Sequence, residues 1–245
     1  MLKKRIIISL TFLDGVLFRT KQFNADYRYT RQFINMWNID ELILIDISKN
    51  KFSEQFINIV KYFSSNCFVP ISVGGGIATV SDAKKYFIAG ADKVISGFRG
   101  LIDKNLNKSI AEIYGNQSLI QALDFKKIEN KYILFSESGK KNLKIDILEA
   151  ILTNDKKFYG EIFLNNILND GNMMGFDIDV FKIVEKVVNC PLVVVGGGGN
   201  WDHFLNLFTN TSISAACTQN IYHFTEKSIS ALKKNLIKAD IKIRT

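Results

Sequence analysis

The chain is poor in the residues that staple, ligate and punctuate. Its 245 residues hold three cysteines, two histidines and two prolines. Cys67, Cys190 and Cys217 are odd in number and no CxxC occurs, which excludes a disulfide framework and points to a reducing cytoplasm. His203 and His223 lie outside any HExxH or Cys-rich pattern, so no zinc centre and no cofactor is expected, and both histidines read as structural. No apolar run approaches the ~20 residues that cross a bilayer. The basic start passes into a stretch broken by Asp14 and Arg19, without the small-residue site of a cleaved leader. With Pro70 and Pro191 as the only prolines, no Pro- or Ser-rich linker divides the chain, and residues 1–245 are expected to form one domain.

What is present is apolar and basic. Hydrophobic residues make up 47% and charged residues 23%, a mixture that excludes extended disorder. The net charge of +8 raises the prospect of a nucleic-acid binder. Its lysines are scattered (Lys3, Lys49, Lys84, Lys126, Lys156, Lys233), which fits a solvated surface or an anionic substrate better than a nucleic-acid groove.

Short β-branched runs alternate with longer stretches of helical spacing. The runs cover residues 5–10, 41–47, 67–73, 91–96, 118–124, 160–166, 191–195 and 212–217. The amphipathic stretches cover 27–38, 51–64, 79–89, 103–114, 145–155, 177–188, 200–209 and 225–238. The runs are almost continuously apolar, as in a parallel sheet buried on both faces. Eight strand-then-helix units in about 250 residues predict an α/β fold, a (β/α)₈ TIM barrel. A doubly wound open sheet would carry a Gly-rich loop after the first strand, and none is there.

The two halves repeat each other. Residues 8–12 resemble 121–125, residues 41–46 resemble 161–166, and the Pro-to-glycine run 70–76 resembles 191–199. This order implies a half-barrel duplication with two equivalent ligand sites at the C-terminal mouth. Each glycine run ends a strand and precedes a helix, a setting in which backbone N–H groups meet a phosphate. Polar residues at strand ends would face the mouth: Thr11, Asp14, Asp46, Asp124, Asn165, Asn166 and Asp170. Asp124 is the sharpest acid/base candidate, since no helix start follows it. Asp103 and Asp177 read as helix caps and Asp14-Gly15 as turn chemistry. Met173 and Met174 read as flexible packing in a glycine-flanked loop.

Together these segments resemble the cyclase subunit of imidazole glycerol phosphate synthase, the HisF family. The telling stretches are Val73-Gly74-Gly75-Gly76-Ile77, Gly90-Ala91-Asp92-Lys93-Val94, Ser138-Gly139-Lys140-Lys141-Asn142 and Asp170-Gly171, within a match over residues 2–244. The resemblance implies a barrel that works with a glutaminase partner at its N-terminal face. Ammonia would pass through the barrel to a doubly phosphorylated substrate at the mouth. Arg5, Glu41, Lys93 and Glu161 match the family's charged ammonia gate. Asp124 matches one catalytic aspartate, and Thr11 stands where the family has the other. Gly76 and Gly197 match phosphate glycines; Gly97 with Phe98, and Asn220, replace the family's polar phosphate ligands. Arg19 stands for the loop lysine, after a first loop shorter than usual, and Asp46, Asn165 and Asp170 complete the substrate pocket. A kept gate beneath an altered chamber suggests a paralogue that supplies ammonia, with a sugar amidotransferase, for amidino groups on surface polysaccharides. The alternative is a genuine cyclase of histidine biosynthesis. No membrane or nucleic-acid partner is implied.

Overall fold

The computed structural model describes residues 3–28, 39–153, 158–219 and 228–244. Among them, eight parallel strands close a barrel: β1 (Arg5–Leu13), β4 (Glu41–Asp46), β5 (Ile71–Gly74), β6 (Lys93–Ser96), β7 (Leu119–Ile128), β10 (Glu161–Asn166), β11 (Leu192–Val195) and β12 (Ala215–Thr218). The ring closes because β1 pairs with both β12 and β4, and β7 with both β6 and β10. The expected (β/α)₈ barrel is therefore the observed fold.

Side chains alternate along each strand. On β1, Ile6, Ile8, Leu10 and Phe12 face outward into the layer beneath the helices. Ile7 faces inward, with Ile43, Ile95, Ile120, Phe163 and Val193 from five other strands. That interdigitated layer fills the barrel.

The helices are α1 (Glu54–Asn66), α2 (Val80–Ile88), α3 (Phe98–Ile102), α4 (Lys104–Tyr114), α5 (Ile147–Thr153), α6 (Ile178–Val184), α7 (Trp201–Asn210) and α8 (Ser228–Lys238). In α1, Phe56, Ile59, Val60 and Phe63 repeat at helical spacing and are the buried residues. Thr79 and Asp82 form a reciprocal capping box at the start of α2. Asp103 accepts the Asn105 N–H at α4 and Asp177 accepts the Val180 N–H at α6, so both are the caps their positions suggested. None of these helices is long and apolar enough to cross a membrane.

Four further strands form two hairpin extensions. They are β2 (Val16–Lys21) with β3 (Asn24–Arg28), and β8 (Lys131–Ser136) with β9 (Lys141–Asp146). Each follows the first strand of its half. β1 runs past the barrel rim and turns at Asp14-Gly15, both in the left-handed region with φ of 48° and 74°. β7 likewise runs on to Ile128 and pairs with β8. Asp124 is therefore an interior residue of a long strand and does not close it. The stretch 27–38, expected as helix, begins in β3; its remaining residues lie outside the described ones, as do His223 and Asn220.

The duplication is visible in the backbone. The carbonyl of Pro70 accepts the Leu42 N–H at 3.0 Å, and that of Pro191 accepts the Ile162 N–H at 3.1 Å. A Cβ on Gly75 would come within 2.4 Å of the Asp46 carbonyl oxygen, and one on Gly196 within 2.5 Å of that of Asn166. Each half thus needs a glycine where one strand end crosses its neighbour.

Candidate active site

The N-terminal end of the barrel is shut by charge. Arg5, Glu41, Lys93 and Glu161 are the first residues of β1, β4, β6 and β10, and all point inward. Arg5 donates to Glu41 at 2.7 Å and to Glu161 at 3.0 Å. Lys93 lies 3.4 Å from Glu41 and 2.5 Å from Glu161. The four make a closed cycle of alternating sign. Burial opposes the Arg5 charge, but hydrogen bonds and attraction from Glu161 and Glu41 outweigh it and raise its pKa. Burial pushes Glu161 up, while Arg5 and Lys93 more than compensate and hold it below the usual carboxylate range.

Sequence reasoning missed a fifth member. Arg244 approaches Glu41 at 3.7 Å, carried there by a terminal segment whose Arg244 N–H bonds the Lys4 carbonyl at 2.9 Å. A lone arginine at that position gives no sequence signal of its role.

The C-terminal end is open. A cavity of about 780 Å³ occupies the mouth, with a smaller one of about 40 Å³ beside it. Thr11, Ser9, Thr20 and Asp170 line both, and Asp124, Asn165, Asp46, Gly76 and Gly97 line the larger. The half-barrel repeat places Thr11 and Asp124 at equivalent positions, and the register sets each beside β4 or β10: Thr11 against Ile45, Asp124 against Asn165.

Asp124 is a carboxyl in a poor solvent. Desolvation pushes its pKa up to about 6, moderated by a 2.8 Å hydrogen bond from Asn165 Nδ2. Asp170 is also pushed up to about 6, mainly by burial, with the Asp124 charge adding to it; the Gln22 and Phe23 N–H groups and Arg19 pull the other way. Two neighbouring carboxyls that titrate near neutrality can take and return a proton at physiological pH.

The remaining expected residues divide. Asp46 lines the mouth, but its Oδ1 accepts the Ser48 N–H and hydroxyl. Its Oδ2 is buried without a partner among the described residues, as are Asn165 Oδ1 and the hydroxyl of Ser136, which also lines the cavity. Gly97 sits with open space where a Cβ would be, and Phe98 and Arg99 follow it on the cavity wall.

Arg19, expected in the substrate pocket, donates to the Gly171 carbonyl at 3.3 Å, pairs with Asp26 at 3.6 Å and favours the charged form of Asp170. Its neighbour Thr20 lines the cavity, beyond a break in the β2–β3 register between the two residues. Gly197 lines only the small cavity, and a Cβ there would meet the Gly175 carbonyl oxygen at 1.9 Å. Close backbone packing is thus sufficient reason for that glycine. Met173 lines the small cavity too, and His203 accepts the Gly199 N–H at the start of α7 as a structural residue.

A profile of the family described as histidine biosynthesis protein matches residues 9–228. The chain belongs to this family. It is HisF-like over its whole length. The imidazole glycerol phosphate synthase subunit HisF of Natranaerobius thermophilus is 32% identical, that of Chlorobium phaeovibrioides 34% and that of Staphylococcus saprophyticus 30%, each alignment covering all of both chains. Within this HisF-like frame the half-barrel repeat offers two equivalent places, on β1 and on β7, and the first holds Thr11 where the second holds the carboxylate of Asp124.

Proposed function

We propose that this chain is the cyclase-type subunit of a glutamine-dependent, cytoplasmic enzyme of the imidazole glycerol phosphate synthase type. A glutaminase subunit docks at the N-terminal face, and its ammonia enters through the ring of Arg5, Glu41, Lys93 and Glu161. The single observation that carries this reading is the stacking order along the barrel axis. A charged ring comes first, then an apolar layer, then the acid-bearing mouth. Ammonia is neutral and small and crosses an apolar layer readily; ammonium would have to shed its hydration shell. At the mouth, ammonia meets a phosphorylated ligand held near Gly76 and Gly97 on one side and Gly197 on the other; Asn220, the fourth expected phosphate residue, lies outside the described ones. Asp124 exchanges the proton.

Within that reading, Thr11 beside Ile45 favours a subunit specialised for supplying ammonia to a sugar amidotransferase, in the making of amidino groups on surface polysaccharides. A threonine hydroxyl cannot take a proton unaided at neutral pH, and Ile45 cannot support a carboxylate as Asn165 does. A second reading, a working cyclase of histidine biosynthesis, is favoured by Asp170. It supplies a second near-neutral carboxyl in the same cavity.

Ammonia-driven turnover of the phosphoribulosyl precursor by the subunit alone separates the two. Turnover by the native chain establishes the cyclase. A folded, silent chain that Thr11→Asp partly restores establishes the specialised supplier. Glutamine use that stays coupled to product in Lys93→Glu removes the gate.

A further inference from the structure

We propose that Lys51 is the side chain that holds an anionic phosphate group of the ligand over the Gly75-Gly76 loop, and so fixes which end of the ligand enters the larger cavity. This rests on the reading of the mouth as a site for a phosphorylated ligand, and adds to it a residue that neither the glycine runs nor the family resemblance picks out.

The geometry is specific to one half of the barrel. Lys51 lies between β4 and α1, and its stem crosses Gly76. A Cβ on that glycine would come within 2.5 Å of Lys51 Cγ and 2.9 Å of Cδ. The ammonium makes one hydrogen bond, to the Asp46 carbonyl at 2.7 Å, and no carboxylate of the described residues lies within 4.0 Å of it. Two of its three N–H donors therefore have no acceptor among the described residues. Burial lowers its pKa, against the attraction of Asp46 and Asp14.

Donors converge on the same spot. The backbone N–H groups of Gly76 and Ile77 make no hydrogen bond to the described residues, whereas that of Gly75 continues the strand ladder towards Ile95 and those of Ala78 and Thr79 are taken by Asp82. Successive unpartnered N–H groups beside a lone ammonium form a concavity suited to a phosphate. The equivalent loop of the second half carries no such cation: Gly197 is covered by the backbone of Gly175. The wall beyond Lys51 is Gly97 and Phe98, neither of which offers a side-chain donor. Arg99 follows them on the same wall, and Lys51 adds from the preceding loop a further cation on the Gly76 side. A charge-assisted hydrogen bond of this kind is worth roughly ten- to hundredfold in affinity.

The test is a titration of the full chain with inorganic phosphate, followed through the backbone amide resonances of Gly75, Gly76 and Ile77, with Gly197 and Gly198 as the internal comparison. We expect saturable shifts at the first loop. Lys51→Met, which keeps the stem over Gly76, weakens that binding at least tenfold and leaves the second loop unchanged. Lys51→Arg restores it to within about threefold. Native affinity in Lys51→Met, or no movement of the first-loop amides in the native chain, overturns the proposal. If Lys51→Met does not fold, Lys51→Gln gives the same reading. The measurement uses no ammonia, glutaminase or turnover, so it fails or succeeds independently of the ammonia-supply reading.

Discussion

The two ends of the barrel treat polar atoms in opposite ways. At the base, four charged side chains satisfy one another in a closed cycle, and Glu41 is braced again by Arg244. At the mouth, Asp46 Oδ2, Asn165 Oδ1 and the Ser136 hydroxyl are buried without partners among the described residues, and two carboxyls are pushed towards neutrality. Buried polar atoms left unpaired cost free energy, which a fold tolerates where a ligand will complete them. The base thus satisfies its own charges, whereas the mouth leaves polar atoms unsatisfied. Substitutions at the two ends should separate accordingly.

The sharpest separation is at Asp124. Asp124→Asn should lower ammonia-dependent turnover by ~10²–10⁴, the usual loss for an acid/base group, read from initial rates at saturating ammonium. A native rate would remove Asp124 from the chemistry. At the base, Arg5→Met leaves Glu161 and Glu41 under-compensated and should lower unfolding free energy by ~3–5 kcal/mol, measured by urea denaturation at pH 7. A loss below ~1 kcal/mol would show the ring to be far better solvated than its burial indicates.

Asp124→Asn should also stabilise the protein, by ~1–3 kcal/mol at pH 7.5, at about 1.4 kcal/mol per pKa unit. The sign follows from linkage. The native carboxyl titrates near pH 6 and an unfolded one near pH ~3.9, so between those values the native state holds more protons and stability falls as pH rises. The asparagine removes that penalty. Its advantage should be full above about pH 6 and absent below about pH 4. An advantage that persists at acid pH would assign it to packing instead. The smallest effect is at Arg244, which is half-exposed: Arg244→Ala should cost no more than ~1 kcal/mol, while loosening the coupling of glutamine use to product.

The sequence pattern carried most of the barrel. The apolar runs are strands because both faces are buried, and the Asp103 and Asp177 caps were visible from their positions before helical periods. The hairpins were not visible, since β1 and β7 continue beyond the rim in the same alternating pattern that serves inside the barrel. Thr20 shows the limit at the site. It lines the cavity beside a break in register between Arg19 and Thr20 that leaves no mark in the sequence. Lys51 was hidden for another reason: it is one lysine among many, and its role arises from the glycine it covers 25 positions later.

The segment that brings Arg244 to the base also bridges Lys4 to Ile243, with the Lys4 N–H on the Lys242 carbonyl at 2.8 Å. The first and last described segments are therefore neighbours in space, and a short peptide could join them. New ends opened at the Gln22-Phe23 turn would leave every barrel strand whole. The order of the strands along the chain would change while their order around the barrel did not. A circularly permuted version of the protein is thus within reach of a simple gene rearrangement.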